Sequence, residues 1–190
     1  MSGPSAIHRP VPGNAHAVML IAKLTQQATG SLDNINPAIA TLKELGPNVL
    51  TYWTSFDQAF NLLNSGETWI SVNSTDRTID QALKGAPVKS HFPEEGTTFV
   101  SNTVGIAKGS THGKLAEAWI NFLLEKEQQG RIASNLGFSP VRSDVAIDPK
   151  VAELLPSGKA LESSLLPNWG DIGKKQAGWI ERYTKEVAGR

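Results

Sequence analysis

Between Ala6 and Leu83 short β-prone runs alternate with amphipathic helical runs, and this alternation restricts the fold more than any other feature of the chain. Ala6–Arg9 reads as a strand, followed by the loop Pro10–Gly13. Asn14 is a good N-cap, and Val18, Ile21, Ala22 and Thr25 then recur at helical spacing until Gly30 ends the element. Asn36 and Pro37 predict a cap and a first-turn proline for a second helix, with Ile39 and Leu42 on one face and Gly46-Pro47 as its stop. Asn48–Trp53 reads as a second strand. Ser55 and Gln58 stand in capping-box register, and Phe56, Ala59, Phe60 and Leu63 form the stripe of the helix they open. Thr68–Val72 reads as a third strand, and Asn73-Ser74 opens a helix with Ile79, Ala82 and Leu83 turned inward. Strands separated by helices are joined by crossovers, which predicts a mainly parallel sheet flanked by helices.

The stretch His91–Lys108 breaks this rhythm. It starts extended, turns at Pro93 and Gly96, and continues as a β-branched and aromatic run from Thr97 to Ala107 that reads as a long strand. Ser101 and Asn102 interrupt that run with small polar groups, as expected of a crossover between two lobes whose polar residues face a cleft. Beyond it the pattern is helical. Leu115, Trp119 and Phe122 share one face, and Ile132 and Leu136 continue an apolar face past Lys126. Asp148-Pro149 starts a short helix that Pro156 closes, and Pro156–Gly170 is rich in Pro, Ser and Gly. Asp171 is expected to cap a terminal helix carrying Ile172, Trp179, Ile180, Tyr183 and Val187. The expected organisation is an α/β lobe over 6–92, a crossover or hinge strand over 93–107, and a helix-rich, incomplete part of the other lobe over 108–190.

Composition removes several function classes. Lys plus Arg equal Asp plus Glu at 18 each, and no basic cluster tracks a helix face, so nothing points to nucleic acid. There is no cysteine, which excludes disulfides, thiolate chemistry and Cys-based zinc sites. No apolar run approaches the ~20 residues that span a bilayer. Met1–Ser5 does not read as a signal peptide, so an exported protein of this sequence is expected to have lost its leader. His-Glu-x-x-His, Gly-x-Ser-x-Gly and a phosphate loop are all missing, since Gly109 and Gly113-Lys114 are one residue too close. His8, His16, His91 and His112 lack metal-ligand spacing, and Asp57, Glu67, Glu94 and Glu95 form no pair suited to acid–base work. The expectation is a binding protein with no cofactor, no metal and no catalytic residues.

Pro93-Glu94-Glu95-Gly96, the run Thr103–Ala107, the helix Ala118–Leu124, Gly137-Phe138-Ser139-Pro140 and the closing Val187–Arg190 follow one another in an order that resembles ABC-transporter periplasmic solute-binding proteins. The likeness runs from about Ala6 to Arg190, and it is to the second half of the polyamine- and ferric-iron-binding type, with the type 2 periplasmic-binding fold. The resemblance implies two lobes that close on a small-molecule solute and then dock on a membrane ABC permease. It implies a hinge near Ala86–Val88 and Ser101–Thr103. It also implies that the opening strands of the first lobe come from a preceding N-terminal stretch that is missing from this chain. The remainder is then expected to pack against those residues, a second copy or a separate chain.

Ligands of open α/β sheets sit beyond the carboxyl ends of strands, at helix N-termini whose N–H groups favour anions. That rule selects Arg9, Gly13 and Asn14 at the first corner, Trp53, Thr54 and Ser55 at the second, and Asn73 and Ser74 at the third. Ser55 and Asn73 also suit plain helix capping, and Arg9 a plain surface charge. Ser101, Asn102 and Trp169 complete the candidate set, the aromatics as walls and Arg9 as a fork for a carboxylate or phosphonate. Trp119 and Trp179 lie on helix stripes and are expected in the core, and Trp69 is expected to be packed in its strand.

Ferric members of the similar family use adjacent tyrosines, whereas Tyr52 and Tyr183 are far apart in sequence. Polyamine binders carry an aromatic and an aspartate where this chain has Val100 and Asn102, and acidic residues where it has Pro12-Gly13-Asn14. A buried di- or tri-cation needs carboxylates. A small anionic or zwitterionic solute is therefore expected, with Asp76, Asp80 or Asp171 available for an amino group. A polyamine-type cation binder and an isolated domain with little affinity are the alternatives.

Overall fold

The computed structural model describes residues 4–8, 15–155 and 162–189. Among them, the strands are β1 (Ser5–His8), β2 (Val49–Trp53) and β3 (Ile70–Ser71). The helices are α1 (Ala15–Thr29), α2 (Asn36–Leu45), α3 (Phe56–Asn64), α4 (Thr75–Leu83), α5 (Gly113–Leu123), α6 (Lys126–Leu136), α7 (Pro149–Ala152) and α8 (Trp169–Tyr183). The chain divides into two compact units, residues 1–74, 92–99 and 157–190 in one, and 75–91 and 100–156 in the other. This differs from the division expected at 92 and 107. The terminal helix returns to the sheet-bearing unit because its buried stripe shares a core with α1 and α2.

In the first unit the three strands form a parallel sheet in the order β2-β1-β3, as the alternation of elements predicts. Side chains alternate between its faces. Trp53 and Ala6 pack on Ala59 of α3 on one face, while Tyr52 packs on the cluster built by α1, α2 and α8 on the other. That cluster buries Val18, Ile21, Ile39, Leu42, Ile172 and Tyr183. The Tyr52 and Tyr183 rings meet edge to face at 6.1 Å. Burial raises the Tyr183 pKa, and Tyr52 adds to the effect.

Local signals read in the sequence hold with small shifts. Ser55 caps α3, its Oγ accepting from Gln58 N–H at 3.2 Å, while Thr54 N–H donates to Gln58 Oε1 at 3.0 Å. For α2 the cap position is Ile35, not Asn36, and Asn34 Oδ1 accepts from Asn36 N–H at 3.1 Å. For α8 the cap is Asn168 instead of Asp171: its Oδ1 accepts from Gly170 N–H at 3.1 Å and Asp171 N–H at 3.3 Å.

The larger correction concerns Thr97–Ala107, which forms no long strand. Thr98 makes an isolated bridge to Leu165, with Phe99 N–H donating to Leu165 O and Leu165 N–H to Thr97 O. From Val100 to Ala107 there is no regular structure and every residue is exposed. A strand is stabilised by its neighbours, and among the described residues nothing pairs with this segment beyond that bridge. The Pro93–Gly96 turn before it is held firmly, since Lys23 Nζ donates to Glu95 O at 2.6 Å and Ser163 O at 2.9 Å. Trp179 is buried as expected, but Trp69 is 65% and Trp119 55% exposed, so neither is core in this structure.

An ionic tie joins α2 to the turn after α8. Glu186 accepts from Arg182 Nε at 2.7 Å and from Lys43 Nζ at 2.6 Å, and Arg182 also donates to Asn36 Oδ1 at 2.8 Å. The bonds to Arg182 and then Lys43 lower the Glu186 pKa from 4.5 to about 2. A depressed carboxylate contributes stability above its unfolded pKa and loses it as pH falls toward its folded value. Glu186→Gln should therefore lower the urea midpoint at pH 7, with the gap to the parent protein closing between pH 4.5 and about 2. A gap that persists unchanged at pH 2 would assign the effect to something other than the carboxylate charge.

Candidate functional site

Parallel pairing sends all three strands out of the sheet at one edge. His8 is in register with Trp53 and Ala6 with Ser71, so the corners after β2 and β3 flank the exit from β1. In this order the chain winds from the central strand to one side, then crosses to the other, which places the topological switch between β1 and β3. Crevices of open α/β sheets form at that switch, beyond the carboxyl ends. Arg9, Gly13 and Asn14, in the corner after β1, lie outside the described residues.

At the β2 corner the candidates separate. Trp53 is fully buried, packed on Ala6 and Ala59 with its ring 5.4 Å from Phe56, so it supports the corner from beneath and forms no wall. Thr54 and Ser55 are exposed at the strand end, and the Ser55 hydroxyl is engaged in capping α3.

The β3 corner carries the more unusual arrangement. Asn73 Nδ2 donates to Ser71 Oγ at 3.1 Å. Its Oδ1 is buried with no hydrogen-bond donor among the described residues. An unmet buried acceptor costs roughly 1–3 kcal/mol, so it is an unusual thing for a fold to keep at a switch point. Ser74 is half-buried beside it. The sequence reading missed Ser71, whose only signal is a Ser-x-Asn spacing at a strand end.

The remaining candidates belong to other segments. Ser101 and Asn102 are exposed and fall in the other compact unit. Trp169 is 43% exposed and opens α8. Among the described residues no group of His, Cys, Asp or Glu is arranged to hold a metal ion, and no helix is long and apolar enough to cross a membrane.

Comparison with known proteins accords with this architecture. Residues 7–156 match the profile of bacterial extracellular solute-binding proteins. A Salmonella typhi periplasmic protein named for 2-aminoethylphosphonate binding is 29% identical over 184 residues, covering 92% of this chain and 52% of its own. The chain thus spans about half the length of the curated relatives it matches. The crystal structure of a Bordetella parapertussis protein described as an extracellular solute-binding protein aligns with a TM-score of 0.80 at 24% identity, over 97% of this chain and 56% of that one. An ABC transporter structure from Clostridium perfringens aligns with a TM-score of 0.75 at 25% identity, over 97% and 58%.

Proposed function

The chain belongs to the bacterial extracellular solute-binding protein family, and from that premise we propose that it is the solute-capturing part of an ABC uptake system. It works by binding, without catalysis, in the periplasm, and hands its solute to a membrane permease. The solute is a small zwitterion with an anionic end, of which 2-aminoethylphosphonate, named for the Salmonella relatives, is the type. The observation that carries this reading is Asn73 Oδ1, a buried acceptor without a donor among the described residues, at the switch between β1 and β3. Such an atom suits an ammonium or amide N–H of the solute. The anionic end then lies toward the opening turn of α3, where helix N–H groups favour a phosphonate or carboxylate.

Thermal denaturation with added solutes tests this. A rise in Tm with 2-aminoethylphosphonate, and none with the triamine spermidine, is expected. Asn73→Leu should weaken the binding about tenfold or more, the loss of a buried hydrogen bond to a charged donor. Stabilisation by spermidine alone would favour a polyamine binder, and stabilisation by neither would leave the family membership without this solute class.

A further inference from the structure

The end of β3 delivers Ser71 and Asn73 to the same side of the sheet. Trp69 N–H donates to Pro4 O at 2.9 Å and Val72 N–H to Ala6 O at 3.2 Å, so pairing with β1 extends on both sides of Ile70–Ser71. Side chains alternate along this stretch: Ile70 and Val72 are exposed, whereas Ser71 and Asn73 are half-buried. Ser71 is in register with Ala6, which packs with Trp53 on Ala59 of α3, so the inward pair belongs to the α3 face. A hydroxyl and an amide thus meet at the sheet edge, with Asn73 Nδ2 3.1 Å from Ser71 Oγ. Among the described residues no other group engages the Ser71 hydroxyl.

A hydroxyl both donates and accepts, whereas an amide has one donor end and one acceptor end. The pair can therefore close in two ways. With Nδ2 donating to Ser71, Oδ1 is left over and takes an N–H or O–H donor from the solute. With the amide turned over, the Ser71 hydroxyl donates to Oδ1, and Nδ2 is left over for a solute oxygen. In either setting Ser71 satisfies one end of the amide and the solute satisfies the other. An alkyl group suits neither setting, because it leaves a buried polar atom unmet. On the reading of this edge as a solute site, we propose that Ser71 is a positioning residue for the free end of the solute. The Ser71–Asn73 pair admits an ammonium or a hydroxyl there and excludes an alkyl end. Because the pair carries no charge, it reads hydrogen bonding and not charge. The solute class is then short phosphonates and carboxylates whose far end forms a hydrogen bond.

Three phosphonates of equal length test this: 2-aminoethyl-, 2-hydroxyethyl- and propylphosphonate, each titrated into this chain and followed by amide chemical shifts. The amino and hydroxy compounds should bind within about tenfold of each other, and propylphosphonate at least about tenfold more weakly. Ser71→Ala should weaken the first two by about fivefold or more and leave the third unchanged. Ser71→Thr, which keeps the hydroxyl, should restore both. In the solute-free protein Ser71→Ala should move the Asn73 side-chain amide resonance while amide exchange in β1 and β3 stays as in the parent, which separates positioning from loss of structure. Propylphosphonate binding as tightly as the amino compound, or Ser71→Ala binding like the parent, would overturn the proposal and leave the solute reading standing. No saturable binding of any of the three to the parent would overturn both.

Discussion

Trp53→Ala should lower the unfolding free energy of the sheet-bearing unit by about 3–5 kcal/mol, the range for truncating a buried tryptophan. The indole is 0% exposed and closes the space between β1, at Ala6, and α3, at Ala59. Removing it leaves a cavity under the β2 corner that the paired backbones of β1 and β2 cannot collapse to fill. Urea denaturation followed by the circular dichroism of the helices measures the loss. Trp53→Phe, which keeps an aromatic on Phe56, should recover part of it. A change below ~1 kcal/mol for the alanine variant would mean that the side chain is not packed as described.

Gly96→Ala is expected to be comparably damaging for a different reason. Gly96 has φ +83°, and an added Cβ would lie 2.1 Å from Ser163 O and 2.3 Å from Ser163 C, both backbone atoms. The left-handed conformation alone costs an L-residue roughly 1–2 kcal/mol. The clash must add to that, because neither the turn nor residues 163–164 can move without releasing Lys23 from its two carbonyls. A total of about 3 kcal/mol or more is expected. Gly66→Ala is the control, having φ +77° with nothing within 4 Å of its added Cβ, so it carries the conformational cost alone. If the two variants unfold at the same urea concentration, Gly96 is not in contact with residue 163.

Much of the first unit was legible because its signals are local and self-consistent. The capping register of Ser55 and Gln58 and the stripe Ile172, Trp179, Tyr183 and Val187 each appear where spacing puts them. Parallel pairing followed from alternation, because strands separated by helices return in the same direction. What could not be read is what depends on partners. Val100, Val104 and Ile106 have strand propensity, yet without a neighbouring strand that propensity has nothing to act on. Trp119 sits on a regular helical stripe, but a stripe says only that a face wants covering, not that anything covers it.

Of the candidate site, the sequence offered strand ends and no more. The β2 and β3 corners lie at one edge of the sheet by their register with β1. Sequence could not choose between Trp53 as wall and Trp53 as packing, because alternation along β2 depends on which face α3 covers. Nor could it single out Asn73 Oδ1, since the Ser71 contact and the burial of that atom exist only once β3 has formed.

The central claim is that the edge where β1, β2 and β3 end receives a small zwitterionic solute. The most direct test follows backbone amide chemical shifts of this chain while 2-aminoethylphosphonate is added to about 10 mM, enough to reveal even a millimolar site. Saturable shifts clustered at Thr54, Ser55, Asn73 and Ser74, and lost in Asn73→Leu, are the predicted result. Shifts that never saturate, or that saturate only at residues remote from that sheet edge, would contradict it.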